Sequence, residues 1–148
     1  MRSRRATHQP PPALCVVTVG VFLAGAVLLR ARVQEPGDSD GWQIPAAAAA
    51  EVNPVAPTPA VLAKGKDIFK AKCQKCHGVT GQGNGPEADP AHSPGDLTDG
   101  KRASRNPDGV MFYKIWNGRS KPKMPALKTD ISRQDVWTVI DYIKTLRR

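Results

Sequence analysis

The five residues Cys73-Gln74-Lys75-Cys76-His77 put two thiols and an imidazole within one helical turn of chain. Three chemistries use such a set. A Cys-x-x-Cys pair can cycle as a redox disulfide, thiolates and imidazole can hold zinc, and Cys-x-x-Cys-His can attach a haem covalently. The redox disulfide requires a βαβ pattern around the pair, and no such pattern surrounds residue 73. A structural zinc requires four ligands. Only His92 could complete a Cys₂His₂ set, because Cys15 lies far upstream, beyond a proline-rich stretch. The haem remains. Cysteines three apart on a helical turn point the same way, so their sulfurs can reach the two vinyl groups of one macrocycle. The adjacent histidine then lies under the iron, and its second ring nitrogen needs an acceptor to fix the ring.

This reading requires a second axial ligand downstream. Met111, Met124, His92 and several lysines are candidates. Such a ligand must sit on chain that can wrap the edge of the haem. Met124, bracketed by Pro122 and Pro125, meets that need, and the prolines lower the entropy lost in holding a weak thioether ligand. Met111 falls inside an amphipathic helical pattern, where methionine usually fills core.

The elements that must position these groups are helical. Thr58-Pro59 reads as an N-cap and first-turn proline. Behind it Leu62, Gly65, Phe69 and Cys73 share one face of a helix expected to run to about Lys75. Gly65 leaves that face bare, so another helix can cross closely there. A Gly- and Pro-rich loop follows from Gly78 to Gly100. Its "GQGNGP" has no strand before it, and Pro86 stands where a dinucleotide fingerprint needs its third glycine, so it reads as turn chemistry. Asn106-Pro107 opens a second helix that Asn117-Gly118 ends. Ser132 and Asp135 signal the cap of a last helix, whose apolar stripe is Val136, Val139, Ile140, Ile143 and Leu146. No strand is expected. The fold class is all-α, with three to four helices around one covalent haem.

Ahead of this domain the chain changes character. Residues 1–12 carry Arg2, Arg4 and Arg5, and residues 13–29 are 17 positions without a charge. A basic start followed by an apolar run directs export or membrane insertion. The run is short for a spanning helix and long for a signal segment. We read it as an inner-membrane anchor that leaves the rest of the chain in the periplasm. Cleavage near Ala26, giving a soluble periplasmic protein, is the alternative. Residues 30–59 read as an unpacked linker, with five prolines and six alanines among residues 34–59. Residues 60–148 are the haem domain.

Charge follows the same division. Residues 1–59 hold five arginines against four carboxylates, whereas residues 60–148 hold 17 Lys and Arg against nine Asp and Glu. The basic field therefore belongs to the domain and steers it toward anionic partners. No nucleic-acid motif accompanies it, so acidic redox proteins are the expected partners, with the membrane engaged through residues 13–29.

Taken together, Gly65 and Phe69, "CQKCHG", "GQGNGP", "PGDLTD", "NPDGVMFYKIWNG", "KMPAL" and the last helix with Tyr142 resemble a monohaem class I cytochrome c over the whole of residues 60–148. The resemblance implies haem c on Cys73 and Cys76 and axial ligation of its iron by His77 and Met124, 47 residues apart. It further implies contact of Gly65 and Phe69 with the last helix near Val139 and Tyr142, and a carbonyl of Pro90 or Pro94 bonded to His77. The function it implies is one-electron carriage between respiratory or periplasmic partners. The basic "NGRSKPKMP" places Arg119, Lys121 and Lys123 beside the ligand loop, which favours an acidic docking face. A haem enzyme, or a gas-binding or sensor haem protein with a labile Met124, is the rival function.

Overall fold

The computed structural model describes residues 41–148. The basic N-terminus, the apolar run 13–29 and the cleavage position near Ala26 lie outside the described residues. Within these, no helix is long and apolar enough to cross a membrane.

Among the described residues six helical segments follow one another: α1 Ala46–Ala49, α2 Pro59–Lys72, α3 Gln74–His77, α4 Gly100–Ser104, α5 Asp108–Asn117 and α6 Arg133–Thr145. Among the described residues there is no strand, and one isolated antiparallel bridge pairs Arg119 with Met124. The all-helical expectation holds here. Thr58 caps α2 by accepting from the Val61 amide, with Pro59 in the first turn. Ser132 and Asp135 form a reciprocal capping box at α6.

Two expectations are corrected in detail. Helix α2 stops at Lys72 rather than Lys75, and Cys73 is the joint between it and α3. Asn106 does not cap α5. Pro107 holds the cap position, and the Asn106 amide instead donates to the Arg102 carbonyl at 2.7 Å. That bond closes the end of α4, a helix that the turn-rich sequence before Asn106 conceals.

Helices α2 and α6 cross at Gly65. A Cβ there would stand 2.5 Å from the Thr138 carbonyl oxygen and 2.8 Å from Tyr142 Cβ. One turn on, Phe69 is buried against the Tyr142 ring, centroids 5.5 Å apart. This is the contact that the resemblance implied. Phe112 of α5 stacks on Trp137 of α6 at 4.2 Å. Phe69, Ile115, Leu127, Val136, Val139, Ile140 and Ile143 complete the main core.

The reading of residues 30–59 as an unpacked linker is corrected from residue 41 onward. Trp42 and Ile44 are 8% and 3% exposed and form a second apolar cluster with Val110. The single turn α1 lies on α5 where Gly109 has no side chain, for a Cβ there would collide with the carbonyls of Ala48, Ala49 and Glu51. Asn53 donates to the Trp137 carbonyl at 3.1 Å and to Asp141 at 3.0 Å. Glu51 pairs with Arg133 at 2.9 Å. Average composition hid this strap, because a few anchors and an amide fasten an otherwise featureless stretch.

Two stability measurements check this packing. Gly65→Ala pushes a methyl into the α6 main chain and should cost about 1–3 kcal/mol in urea unfolding of the haem-loaded protein. Asp135 is held below the usual carboxylate value, first by its bond from Lys64 and then by Ser132. A depressed folded value stabilises above the unfolded value of 3.8 and is lost as pH falls through the folded one. The stability gap between wild type and Asp135→Asn should therefore be constant near neutral pH and shrink as pH falls below the unfolded value of 3.8.

Candidate cofactor site

The motif sits where α2 ends. The Cys73 carbonyl accepts from the amides of Cys76 at 3.1 Å and His77 at 2.9 Å, which winds the five residues into one tight turn. The glycine loop then folds back over that turn. Amides of Gly83, Gly85 and Glu87 donate to the carbonyls of His77, Cys76 and Lys75 at 2.8, 3.1 and 2.8 Å. A side chain at Gly85 would strike the Lys75 and Cys76 main chain, so "GQGNGP" serves as a main-chain collar for the motif.

Cys73, Cys76 and His77 all face one cavity of about 390 Å³. No disulfide joins Cys73 to Cys76. Burial, and next the neighbouring Cys76, push the Cys73 thiol up to about 12. A thiol so held is a poor redox nucleophile, which counts against the disulfide reading. Among the described residues no group of three or more His, Cys, Asp or Glu side chains could hold a metal ion, which counts against zinc. His92 reaches the cavity rim but is exposed, with Nδ1 3.2 Å from Asp89.

The His77 imidazole is pushed below its usual pKa by burial, and the main chain at Gly95 partly offsets this. Nδ1 is buried and has no hydrogen-bond partner. Neither proline carbonyl therefore bonds the ring, contrary to the expectation for Pro90 or Pro94. Pro94 does line the cavity, immediately before Gly95, whereas Pro90 is exposed and away from it.

Met124 lines the same cavity and is half-buried. Its amide donates to the Arg119 carbonyl at 2.9 Å, and the Arg119 amide donates to its carbonyl at 2.8 Å. Arg119 Nε donates to the Pro122 carbonyl at 3.1 Å, across the tip of the same loop. Gly118, at φ +57°, starts the loop in a left-handed conformation, with the Met124 carbonyl and the Ala126 amide packed where a Cβ would be. Met111 also touches the cavity, but it is 8% exposed, belongs to the core, and its sulfur accepts from Arg147 at 3.1 Å.

The rest of the wall includes groups that sequence reasoning did not select: Trp42, Arg102, Asn106, Lys114 and Arg147. Lys114 is buried and donates to Asn106 at 2.5 Å. Its signal was available, since it falls on the same helical face as Val110 and Met111, where a lysine is out of place. Arg147 Nε is buried without a partner.

These residues suit a haem. The wall offers apolar surface from Ile115, Leu127 and Ile143, two thiols at attachment spacing, an imidazole with an orphaned nitrogen, and cations that match an occupant carrying carboxylates. The comparisons agree. The cytochrome c family profile matches residues 62–147. A solved chain of the reducing HAO-like protein complex from Kuenenia stuttgartiensis superposes with a TM-score of 0.54 and is 29% identical, covering 64% of this chain and 47% of its own. This protein thus spans less than half of that chain. No curated protein matches in sequence.

The chain belongs to the cytochrome c family. It carries covalently bound haem c with its iron.

The expectation that Cys73 and Cys76 attach the haem can be checked on the polypeptide itself. Expressed with haem-attachment machinery, the wild-type band should keep haem stain on a denaturing gel. Cys73→Ala and Cys76→Ala should each keep it through the remaining thioether, and the double variant should lose it.

Proposed function

We propose that this protein is a one-electron carrier in which Cys73 and Cys76 hold the haem by thioether bonds while His77 and Met124 occupy the two axial positions of the iron. The supporting observation is that a motif at the end of α2 and a methionine 47 residues later line one cavity, the latter on a loop tied by two main-chain bonds. When bound, the haem supplies an iron that takes up and releases one electron, and His/Met ligation raises its potential. The chain's residues do the remainder. The collar fixes His77, the core helices exclude water from the inner wall, and the Arg119–Met124 bridge holds a thioether where no substrate need enter. His77 and Met124 would leave the haem no open position for a substrate, which favours a carrier over an enzyme.

Partners follow from the rim. Lys72, Lys75 and Lys123 line the cavity edge, and the exposed Lys121 stands beside it. An acidic face on a donor or acceptor fits that rim, and brief, small contacts suit electron exchange. The similarity to a chain of the HAO-like complex adds a second setting, in which the carrier docks as a subunit of a larger oxidoreductase. Residues 13–29 would tether the domain to the inner membrane from the periplasmic side.

One variant tests the ligand set. Met124→Ala should abolish the far-red sulfur-to-iron band of the oxidised protein, lower the reduction potential and let the reduced protein bind carbon monoxide. A wild-type protein that already binds carbon monoxide, or a Met124→Ala variant with an unchanged spectrum, rules this reading out.

A further inference from the structure

The family profile begins at residue 62, yet part of the cavity wall comes from residue 42. Trp42 is 8% exposed and lies in the second apolar cluster, against which Met124 packs. The Arg119 guanidinium lies 4.6 Å from the centre of the Trp42 ring, and the Lys114 ammonium lies 5.5 Å from it. Arg119 is the residue that ties the ligand loop, through two main-chain bonds to Met124 and its Nε bond to Pro122. Trp42 thus grips the side chain whose main chain holds Met124. The strap that presents the indole is itself fastened to α6 by Asn53 and rests on α5 at Gly109.

We infer that Trp42, on the strap before the haem domain proper, is a positioning residue that keeps the Met124 thioether engaged by clamping Arg119. The inference rests on Met124 being the axial ligand. A thioether is a weak ligand, and its hold on a metal depends on how often the loop carrying it is in the engaged position. An outside ligand that must wait for the loop to open binds with an affinity reduced by the open fraction. A cation on an indole face, partly removed from water, is worth enough to shift that fraction roughly tenfold. Trp42 acts through Arg119 and does not itself ligate.

The test is an imidazole titration of the oxidised, haem-loaded full chain, followed by loss of the far-red band. Trp42→Ala should bind imidazole roughly tenfold more tightly than wild type. Trp42→Phe, which keeps a ring face for the guanidinium, should recover much of the difference. Arg119→Gln, which also loses the Nε bond to Pro122, should shift at least as far. Trp42→Leu, which keeps apolar bulk without an indole face, replaces Trp42→Ala should that variant fail to fold. The double variant should shift no further than the larger single one. Ile44→Ala is the structural control, since Ile44 is 3% exposed in the same strap and lines no part of the cavity. It should lower the unfolding midpoint and leave imidazole affinity near wild type. Unchanged affinity in Trp42→Ala or Arg119→Gln, no recovery in Trp42→Phe, or an equal shift in Ile44→Ala overturns the clamp. Met124→Ala runs in parallel. If its far-red band persists, the ligand assignment has failed and not the clamp alone.

Discussion

Helix α2 can lie on α6 as closely as it does only because position 65 carries no side chain. The Thr138 carbonyl and Tyr142 Cβ occupy the space a methyl would need. That close approach fixes more than a helix pair. It sets the depth at which Phe69 enters the core and therefore where the next turn ends. Cys73, the C-terminal cap of α2, follows Phe69 by one turn, with its amide on the Phe69 carbonyl at 2.8 Å. The placement of the Cys73–His77 motif is thus inherited from a contact between two helices that carry no chemistry of their own.

The core and the cavity are not separate compartments. Met111, Ile115, Leu127 and Ile143 belong to the main apolar cluster and also form cavity wall. A domain of this size buries a modest share of its surface, and an apolar prosthetic group supplies the missing interior. The cations suit the same occupant. Lys114 is buried in α5, and Arg147 buries its Nε without a partner. Burial lowers the Arg147 pKa, with Asp108 offsetting it in part. Buried cations are costly unless charge or hydrogen bonds compensate them, and a group with an apolar plane and carboxylate arms meets both halves of this wall.

Much of this was legible in the residues. The caps of α2 and α6 rely on local rules, since Thr58 and Ser132 bond amides three positions on. The helix faces follow from spacing, and the Gly65 crossing follows from a bare position on an apolar stripe. The motif at Cys73 to His77 was legible because its chemistry is local. What stayed hidden was non-local. Asn106 looked like a cap, yet its side chain serves the end of α4 and Lys114. Trp42 and Asn53 stood in a stretch of alanine and proline, and their value lies in partners up to 88 residues away. No window of sequence contains those partners. The acceptor expected at His77 was inferred by likeness, and the Gly95 main chain lies near the ring while Nδ1 keeps no hydrogen-bond partner.

The loop from Gly118 to Leu127 shows how a short irregular segment is made stiff without regular structure. It begins at Gly118, where left-handed backbone lets the chain turn back on itself. It is pinned across its width by the Arg119–Met124 bonds, and it ends where the Leu127 amide donates to the Ile115 carbonyl of α5 at 3.1 Å. These ties restrict the backbone around Met124, so less entropy would be lost if its thioether took up a ligand role. The strap reaches the loop from outside this set of ties, through an indole on a guanidinium. Within the described residues, α5 thus meets the loop at both ends, through Gly118 and Leu127, and meets the strap at Gly109 and Val110. Of the strap residues, Trp42 is the one whose side chain meets both the cavity and the Arg119 guanidinium, although the strap's sequence holds no candidate ligand.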